Sequence, residues 1–476
     1  MKRSMIVILL FFPVMFLPPL PAQNKALPEA IKGILEKTDT KSDEQPAGAE
    51  GIKLLKKYEK KDFIKYFTQM KYEKAANAAF KYLKRYKKDP IALFIGTVSC
   101  EMGNKMELLF VYPLIFDREA LGAREYQILA FLQAFISKYP EKSQAAFLKA
   151  LGYLYWEKAD PSIPLHYLKK ALGKDPANAY AAAHIAFLLG KKRPSEGDKE
   201  SLQMEILLYD YALSQDPGCY QALYNKGQNL QLLGDRPDEA RELCWKAVAL
   251  SPLSLKAQKV LFALYQKTSR EPEDFLRDLE ARAGKNPQVF WSFGKLFKEE
   301  KVPALGLKMY AKALELARNK DMKCVIASEY LEMSIDSGDM TGASKIIAST
   351  KKLKSADVDF YTALYHYQLK EYDKGIKLLE KVRKSKTLLI ANDKVYSNLG
   401  TLYFQAGKTG KAKQNLVRAV KLNDRDTIAL FNLGYLYLKD GSKKAARECM
   451  EKIIKIKPGS REAENALKVL SNLEKL

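Results

Sequence analysis

Residues 393–460 hold two 34-residue units in tandem, and that period constrains the fold more than any other feature of the chain. The first unit reads Tyr396-x-x-Leu399-Gly400-x-x-Tyr403, then Ala412-x-x-x-Leu416-x-x-Ala419. The second reads Leu430-x-x-Leu433-Gly434-x-x-Tyr437, then Ala446-x-x-x-Met450-x-x-Ile453, and closes on Pro458. Spacings of three and four residues place Tyr396, Leu399 and Tyr403 on one face of a helix, and Ala412, Leu416 and Ala419 on one face of another. Between them Gly407 and Gly410 interrupt the pattern, where glycine accepts the left-handed turn that other residues resist. Small residues at Gly400 and Ala412 let two helix backbones approach, while Tyr403 and Leu416 fill the space around them. One such pair cannot bury its apolar face alone, so the pattern demands that pairs stack on pairs.

This period and these spacings resemble the tetratricopeptide repeat. The resemblance implies an all-α fold, an α-solenoid in which tetratricopeptide-type helix pairs wind into a right-handed superhelix. Followed towards the amino terminus, the match is good at Phe290-x-x-Phe293-Gly294-x-x-Phe297 with Gly306, Tyr310 and Ala313, and at Leu148-x-x-Leu151-Gly152-x-x-Tyr155 with Leu168 and Ala171. A repeat solenoid is therefore expected over 145–460, preceded by irregular helical repeats over 51–140 and closed by a capping helix over 461–476. Inside the solenoid the polar stretch Lys191–Glu200 lengthens one inter-helix loop and is expected to project from the array.

At the amino terminus Lys2 and Arg3 precede an apolar run from Met5 to Leu17, and Leu20-Pro21-Ala22 stands before Gln23. A charged start, a short apolar middle and a small terminal residue describe a signal peptide over 1–22. Export to a periplasmic, envelope-associated or secreted location is the expectation, with an uncleaved membrane anchor as the alternative. Residues 23–50 are polar and read as a flexible tether with one short helix at Leu27–Lys37.

The chain has 80 Lys and Arg against 56 Asp and Glu, a formal charge of +24. That excess favours acidic surfaces in general and says nothing about fold. The lysines look dispersed along the sequence, which reads as solvated helix surface. Against this stands attachment to an acidic polymer or a membrane surface through the lysines of 81–88, 351–355 and 381–386. Nothing in the pattern points to a specific nucleic-acid site. The five cysteines are scattered, with no C-x-x-C pair, and Cys244 and Cys449 fall at or beside packing positions. His166, His184 and His366 stand in different units, and no H-E-x-x-H, paired Cys/His or G-x-S-x-G motif occurs. Gly407-Lys408-Thr409 occupies an inter-helix turn, not the strand-to-helix turn of a phosphate loop. No catalytic residue, cofactor or metal is therefore assigned, and the expectation is a non-enzymatic chain.

In the family that the chain resembles, the first helix of each unit lines a concave face that takes protein or peptide partners. Carried onto this sequence, that habit makes Tyr153, Trp156, Phe187, Tyr224, Trp291, Phe404, Phe431 and Tyr435 groove candidates, since aromatic groups with a polar edge are common anchors. The other reading of the same rings is packing between neighbouring helices. Asn225, Asn398 and Asn432 recur near the first-helix glycine or its leucine, and an amide can pair with an extended backbone as both donor and acceptor. The expected function is an exported scaffold that holds a protein partner in its groove.

Overall fold

The computed structural model describes residues 27–38, 40, 48–86, 89–103, 125–154, 160–268, 272–385 and 390–474. These form twenty-five α-helices, one 3-10 turn and no strand. None of the helices is long and apolar enough to cross a membrane. The leader assigned to 1–22 lies outside the described residues. The chain divides into two compact units, one of Met1–Ser251 with Val260–Arg270, the other of Pro252–Lys259 with Glu271–Leu476.

The first unit begins with α1 (Glu29–Glu36), α2 (Ala49–Tyr58), α3 (Asp62–Thr68), α4 (Tyr72–Leu83), α5 (Pro90–Met102) and α6 (Glu125–Lys138). It continues through α7 (Ser143–Leu154), α8 (Ser162–Lys174), α9 (Ala179–Lys191), α10 (Lys199–Gln215), α11 (Tyr220–Leu233) and α12 (Pro237–Leu250). From α7 onward the helices pack as consecutive antiparallel pairs, and α9 also touches α11, so first helices contact first helices. Phe63, Phe67, Phe80, Phe131, Phe147, Leu168 and Tyr209 lie in its continuous core. Within the stretch 51–140 expected to be irregular, the structure forms α2 to α6.

Two expectations change in this unit. The short helix foreseen at Leu27–Lys37 forms, but it is no free tether. Ile31, Ile34 and Leu35 are buried in the core, and Lys169 Nζ donates to the carbonyls of Leu35 and Thr38. Its apolar spacing supplies the reason, because residues three and four apart give a buried stripe. The loop between α9 and α10, exposed over most of its residues, is tied to the fold at Arg193. Arg193 Nε reaches the Gly190 carbonyl at 3.2 Å and Glu205 Oε1 at 3.2 Å, and its Nη1 donates to the Glu196 carbonyl. Glu205 is 2% exposed and also accepts from Asn229 Nδ2 at 2.8 Å. Burial pushes the Glu205 carboxyl up, opposed by Asn229 and Arg193.

The second unit contains α14 (Pro272–Ala283), α15 (Pro287–Glu299), α16 (Pro303–Leu316), α17 (Lys320–Asp336), α18 (Met340–Thr350) and α19 (Ala356–Gln368). It ends with α20 (Tyr372–Val382), α21 (Asn392–Gln405), α22 (Thr409–Leu422), α23 (Thr427–Lys439), α24 (Lys443–Ile456) and α25 (Arg461–Glu474). Between the units in sequence, α13 (Leu255–Thr268) gives its first residues to this unit and the rest to the other. The pairs α15/α16, α17/α18, α19/α20, α21/α22 and α23/α24 stack in sequence, with α25 against α24. This is the α-solenoid arrangement of stacked helix pairs.

Why these helices pair is visible at Gly400. A Cβ built there would sit 2.5 Å from Leu416 Cγ and 3.1 Å from the Leu416 backbone nitrogen. At Gly434 it would sit 2.6 Å from Met450 Cε. Leu416, Ala412, Met450 and Ala446 are fully buried against these glycines. At the turns, Gly407 and Gly441 have φ near +74° and +75°, the left-handed conformation that ends α21 and α23. Asp426 caps α23 by accepting from the backbone nitrogens of Ile428 and Ala429, which satisfies donors that the helix itself leaves open.

Two stability measurements check this packing. Tyr403 is buried in the core of the second unit and donates to Glu380 at 3.0 Å, so Tyr403→Ala should lower the unfolding free energy by about 3–5 kcal/mol in denaturant titration. Arg193→Met leaves Glu205 buried without its cation and should cost about 3–5 kcal/mol, whereas a freely projecting loop would lose less than about 0.5 kcal/mol.

Candidate functional site

In the second unit, α17 touches α19, α19 touches α21, and α21 touches α23, so the first helices of successive pairs form one contiguous face. Residues next to the packing glycines project onto that face: Thr401 follows Gly400 and Tyr435 follows Gly434. Phe404, one turn after Gly400, meets Tyr435 edge to face, with ring centroids 5.7 Å apart and planes at 84°. Lys439 Nζ lies 5.3 Å from the Phe404 ring and 5.5 Å from the Tyr435 ring. Tyr435 remains 42% exposed. Asn432 Nδ2 donates to Thr401 Oγ1 at 2.9 Å, and Asn398 Nδ2 to the Lys394 carbonyl at 2.8 Å. Both amides therefore keep an oxygen available on this face. Phe431 is half-buried against the core of the same pairs.

Beside this patch is an open concavity of about 150 Å³, lined by Glu332, Ile335 and Asp336 of α17, Phe360, Tyr361 and Leu364 of α19, and Lys394 and Asn398 of α21. Desolvation, with the Glu332 charge nearby, pushes the Asp336 carboxyl up against the opposing pull of Lys298. Lys298 Nζ pairs with Glu332, and Lys295 lies 4.0 Å from Glu329, so the floor of the face between α15 and α17 is an ion-pair lattice. Neither Lys394 nor Lys439 has a carboxylate partner among the described residues.

The structure thus brings Asn398, Phe404, Phe431, Asn432 and Tyr435 together and separates the other candidates from them. Trp291 is 2% exposed, and its Nε1 donates to Glu329 Oε2 at 2.7 Å, so it packs between α15 and α17 instead of facing a guest. Tyr153 is buried and stacked on Tyr167 at 6.4 Å and 9°. Lys149, itself 1% exposed, lies 5.5 Å and 5.1 Å from those two rings and bonds Gln133. Tyr224 and Asn225 are buried, with Tyr224 against Tyr220 at 4.9 Å. Phe187 is half-buried under Lys191. Trp156 lies outside the described residues. For Trp291 and Tyr153 the covering partner, Glu329 or Tyr167, comes from another helix, which a residue's own spacing does not show.

Lys439, Thr401, Tyr361 and Leu364 belong to the exposed face and are not among the residues chosen from sequence. Their signal was present: each stands one or five residues beyond a small or packing position of its helix, or one turn before the next. The charges also arrange themselves in a way the sequence hid. The first helices α15, α17, α19, α21 and α23 together carry six Lys and eight Asp or Glu. Their partners α16, α18, α20, α22 and α24 carry fifteen Lys or Arg and five Asp or Glu. In this second unit the lysines that look dispersed along the sequence are segregated by helix.

Among the described residues no group of three His, Cys, Asp or Glu side chains is placed to hold a metal ion. Cys100, Cys219, Cys244 and Cys449 are buried, Cys324 is half-buried, and no disulfide forms among the described residues. Burial pushes the Cys219 and Cys244 thiols up to about 12, which makes them poor nucleophiles at neutral pH.

Residues 397–461 match a protein-family profile described as tetratricopeptide repeat. No curated protein matches the chain. Among solved structures, the chain is similar to the anaphase-promoting-complex assembly of Cut9 and Hcn1, at 14% identity over 88% of this chain and 98% of that one, with a TM-score of 0.36. It is similar to yeast Tom70 at 15% identity over 89% and 95%, with a TM-score of 0.38. A tetratricopeptide repeat protein from Parabacteroides merdae aligns at 14% identity over 69% and 99%, with a TM-score of 0.31.

Burial separates the two roles experimentally. Trp291→Ala should destabilise the chain by about 3–5 kcal/mol, while Tyr435→Ala should cost under about 1 kcal/mol; comparable losses in thermal or denaturant unfolding would contradict the assignment of Tyr435 to a free surface.

Proposed function

We propose that the chain is a non-enzymatic scaffold that holds an extended segment of a protein partner on the first-helix face of its second unit, a reading supported by the match of residues 397–461 to the tetratricopeptide repeat profile. The observation that carries this reading is the patch of Asn398, Phe404, Asn432, Tyr435 and Lys439, in which aromatic edges, amide oxygens and an uncompensated cation share one exposed strip. Aromatic rings supply contact area at low entropic cost, and amides fix the register of a backbone laid across them. Lys394 and Lys439 favour a segment bearing carboxylates. The face offers no nucleophile beside a base and no metal set, so binding is the chemistry it supports.

Export is part of the same proposal. It rests on Lys2, Arg3, the apolar run from Met5 to Leu17 and the small residue Ala22. Amino-terminal sequencing of the mature protein should begin at Gln23; a chain that retains Met1 in the membrane fraction would replace export with anchoring.

The groove is tested by placing a photoreactive residue at Tyr435, identifying the crosslinked protein, and measuring its binding to purified variants. Tyr435→Ala with Asn432→Ala should weaken the complex by about thirty-fold, the effect of a central anchor. An unchanged affinity, or crosslinking from α22 in place of α23, would contradict the groove.

A further inference from the structure

We propose that the outward side of α22 docks on an anionic lipid surface. It carries Lys411, Arg418 and Lys421 with the aliphatic side chains of Val417 and Leu422, and it has no carboxylate anywhere along its length. Val417 is 43% exposed and Leu422 48% exposed. These five residues recur at spacings of three, four and seven, so they form one stripe on the side of the helix away from the fully buried Ala412, Leu416 and Ala419.

The three cations are exposed, and none meets a carboxylate among the described residues. By contrast Lys413 of the same helix is engaged with Asp440, and Lys408 just before it with Asp373. Lys411 Nζ lies 5.6 Å from the Tyr403 ring centre and the Arg418 guanidinium 6.0 Å from that of Tyr396, so both charged heads rest at the edge of the strip against tyrosine rings of α21 and have no carboxylate counter-charge among the described residues. The helix is thus a cationic strip set in the second-helix group where positive charge concentrates.

Charge alone would suit any polyanion. Val417 and Leu422 decide between them, because exposed aliphatic groups between cations gain nothing from a phosphate backbone or a sulfated sugar chain. At a bilayer they enter the headgroup boundary while the cations meet acidic lipids. This surface is separate from the groove, which lies on the first helices, so a chain docked through α22 keeps its binding face free.

The test is co-sedimentation of the full mature chain with vesicles of phosphatidylcholine containing roughly a quarter phosphatidylglycerol, beside vesicles of phosphatidylcholine alone. Binding to the acidic vesicles should fall steeply between about 50 and 500 mM salt and be absent without the acidic lipid. Lys411→Gln with Arg418→Gln and Lys421→Gln should weaken it on the order of a hundred-fold, since each cation near such a surface contributes about a five-fold gain. Val417→Ser with Leu422→Ser should weaken it several-fold at unchanged charge. All five positions are exposed, so each variant should keep its fold, which circular dichroism checks before binding is compared. Tyr435→Ala should bind vesicles as the parent does, which keeps failure of this surface distinct from failure of the groove. No binding to acidic vesicles, equal binding by the triple variant, insensitivity to the Val417 and Leu422 changes, or retention by heparin without vesicle binding would each overturn the proposal.

Discussion

The close approach of paired helices at a residue without a side chain is the constraint on which the rest of the structure depends. Where Gly400 faces Leu416 and Gly434 faces Met450, there is no room for a Cβ, and the fully buried Ala412 and Ala446 keep the opposite wall equally low. Two backbones held that near leave Leu399, Leu416, Leu433 and Ile453 to close the core around them. A pair fixed in this way has only two sides left. One belongs to the first helix and is shared with the first helices of neighbouring pairs, the other to the second helix.

The division of chemistry follows from that geometry. On the first helices of the second unit, charges are nearly balanced and knitted into pairs such as Lys298 with Glu332, while Tyr435, Phe404 and the asparagine amides stay at the surface. On the second helices cations outnumber carboxylates three to one, and α22 has none of the latter. The excess of ten positive charges on these second helices (fifteen against five) is spread over their exposed sides, where water and salt screen it within a Debye length of about 8–10 Å.

The helix pairs were legible wherever a small residue had to recur at a fixed distance from a large one, as at 393–460, because that spacing is itself the packing rule. Surface and interior were harder to tell apart. Trp291, three residues before Gly294, and Tyr435, one after Gly434, lie one turn apart on the same face of the repeat, yet one is closed off by Glu329 of the next pair's first helix while the other meets Phe404 and Lys439 and stays exposed. Tyr153 sits beyond Gly152 as Tyr435 sits beyond Gly434, but the buried Lys149 and Tyr167 cover it. Whether such a ring is free depends on the adjoining helix, a non-local fact. The same reason hid the anchoring of Arg193 on Glu205 and of α1 beside Lys169, both contacts between segments far apart in sequence. The lysine segregation of the second unit is masked in the linear sequence, because helices of opposite character alternate there.

The most direct test of the central claim is a double-mutant cycle at the point of closest approach. Gly400→Ala should destabilise the parent by about 1–3 kcal/mol, because the added methyl must displace Leu416. In the Leu416→Ala background the same methyl enters vacated space, and its cost should vanish or reverse, leaving a coupling energy of about 1–3 kcal/mol. Additive effects within about 0.5 kcal/mol would show that the helices do not meet at this glycine, and the two-sided arrangement built on that contact would fall with it.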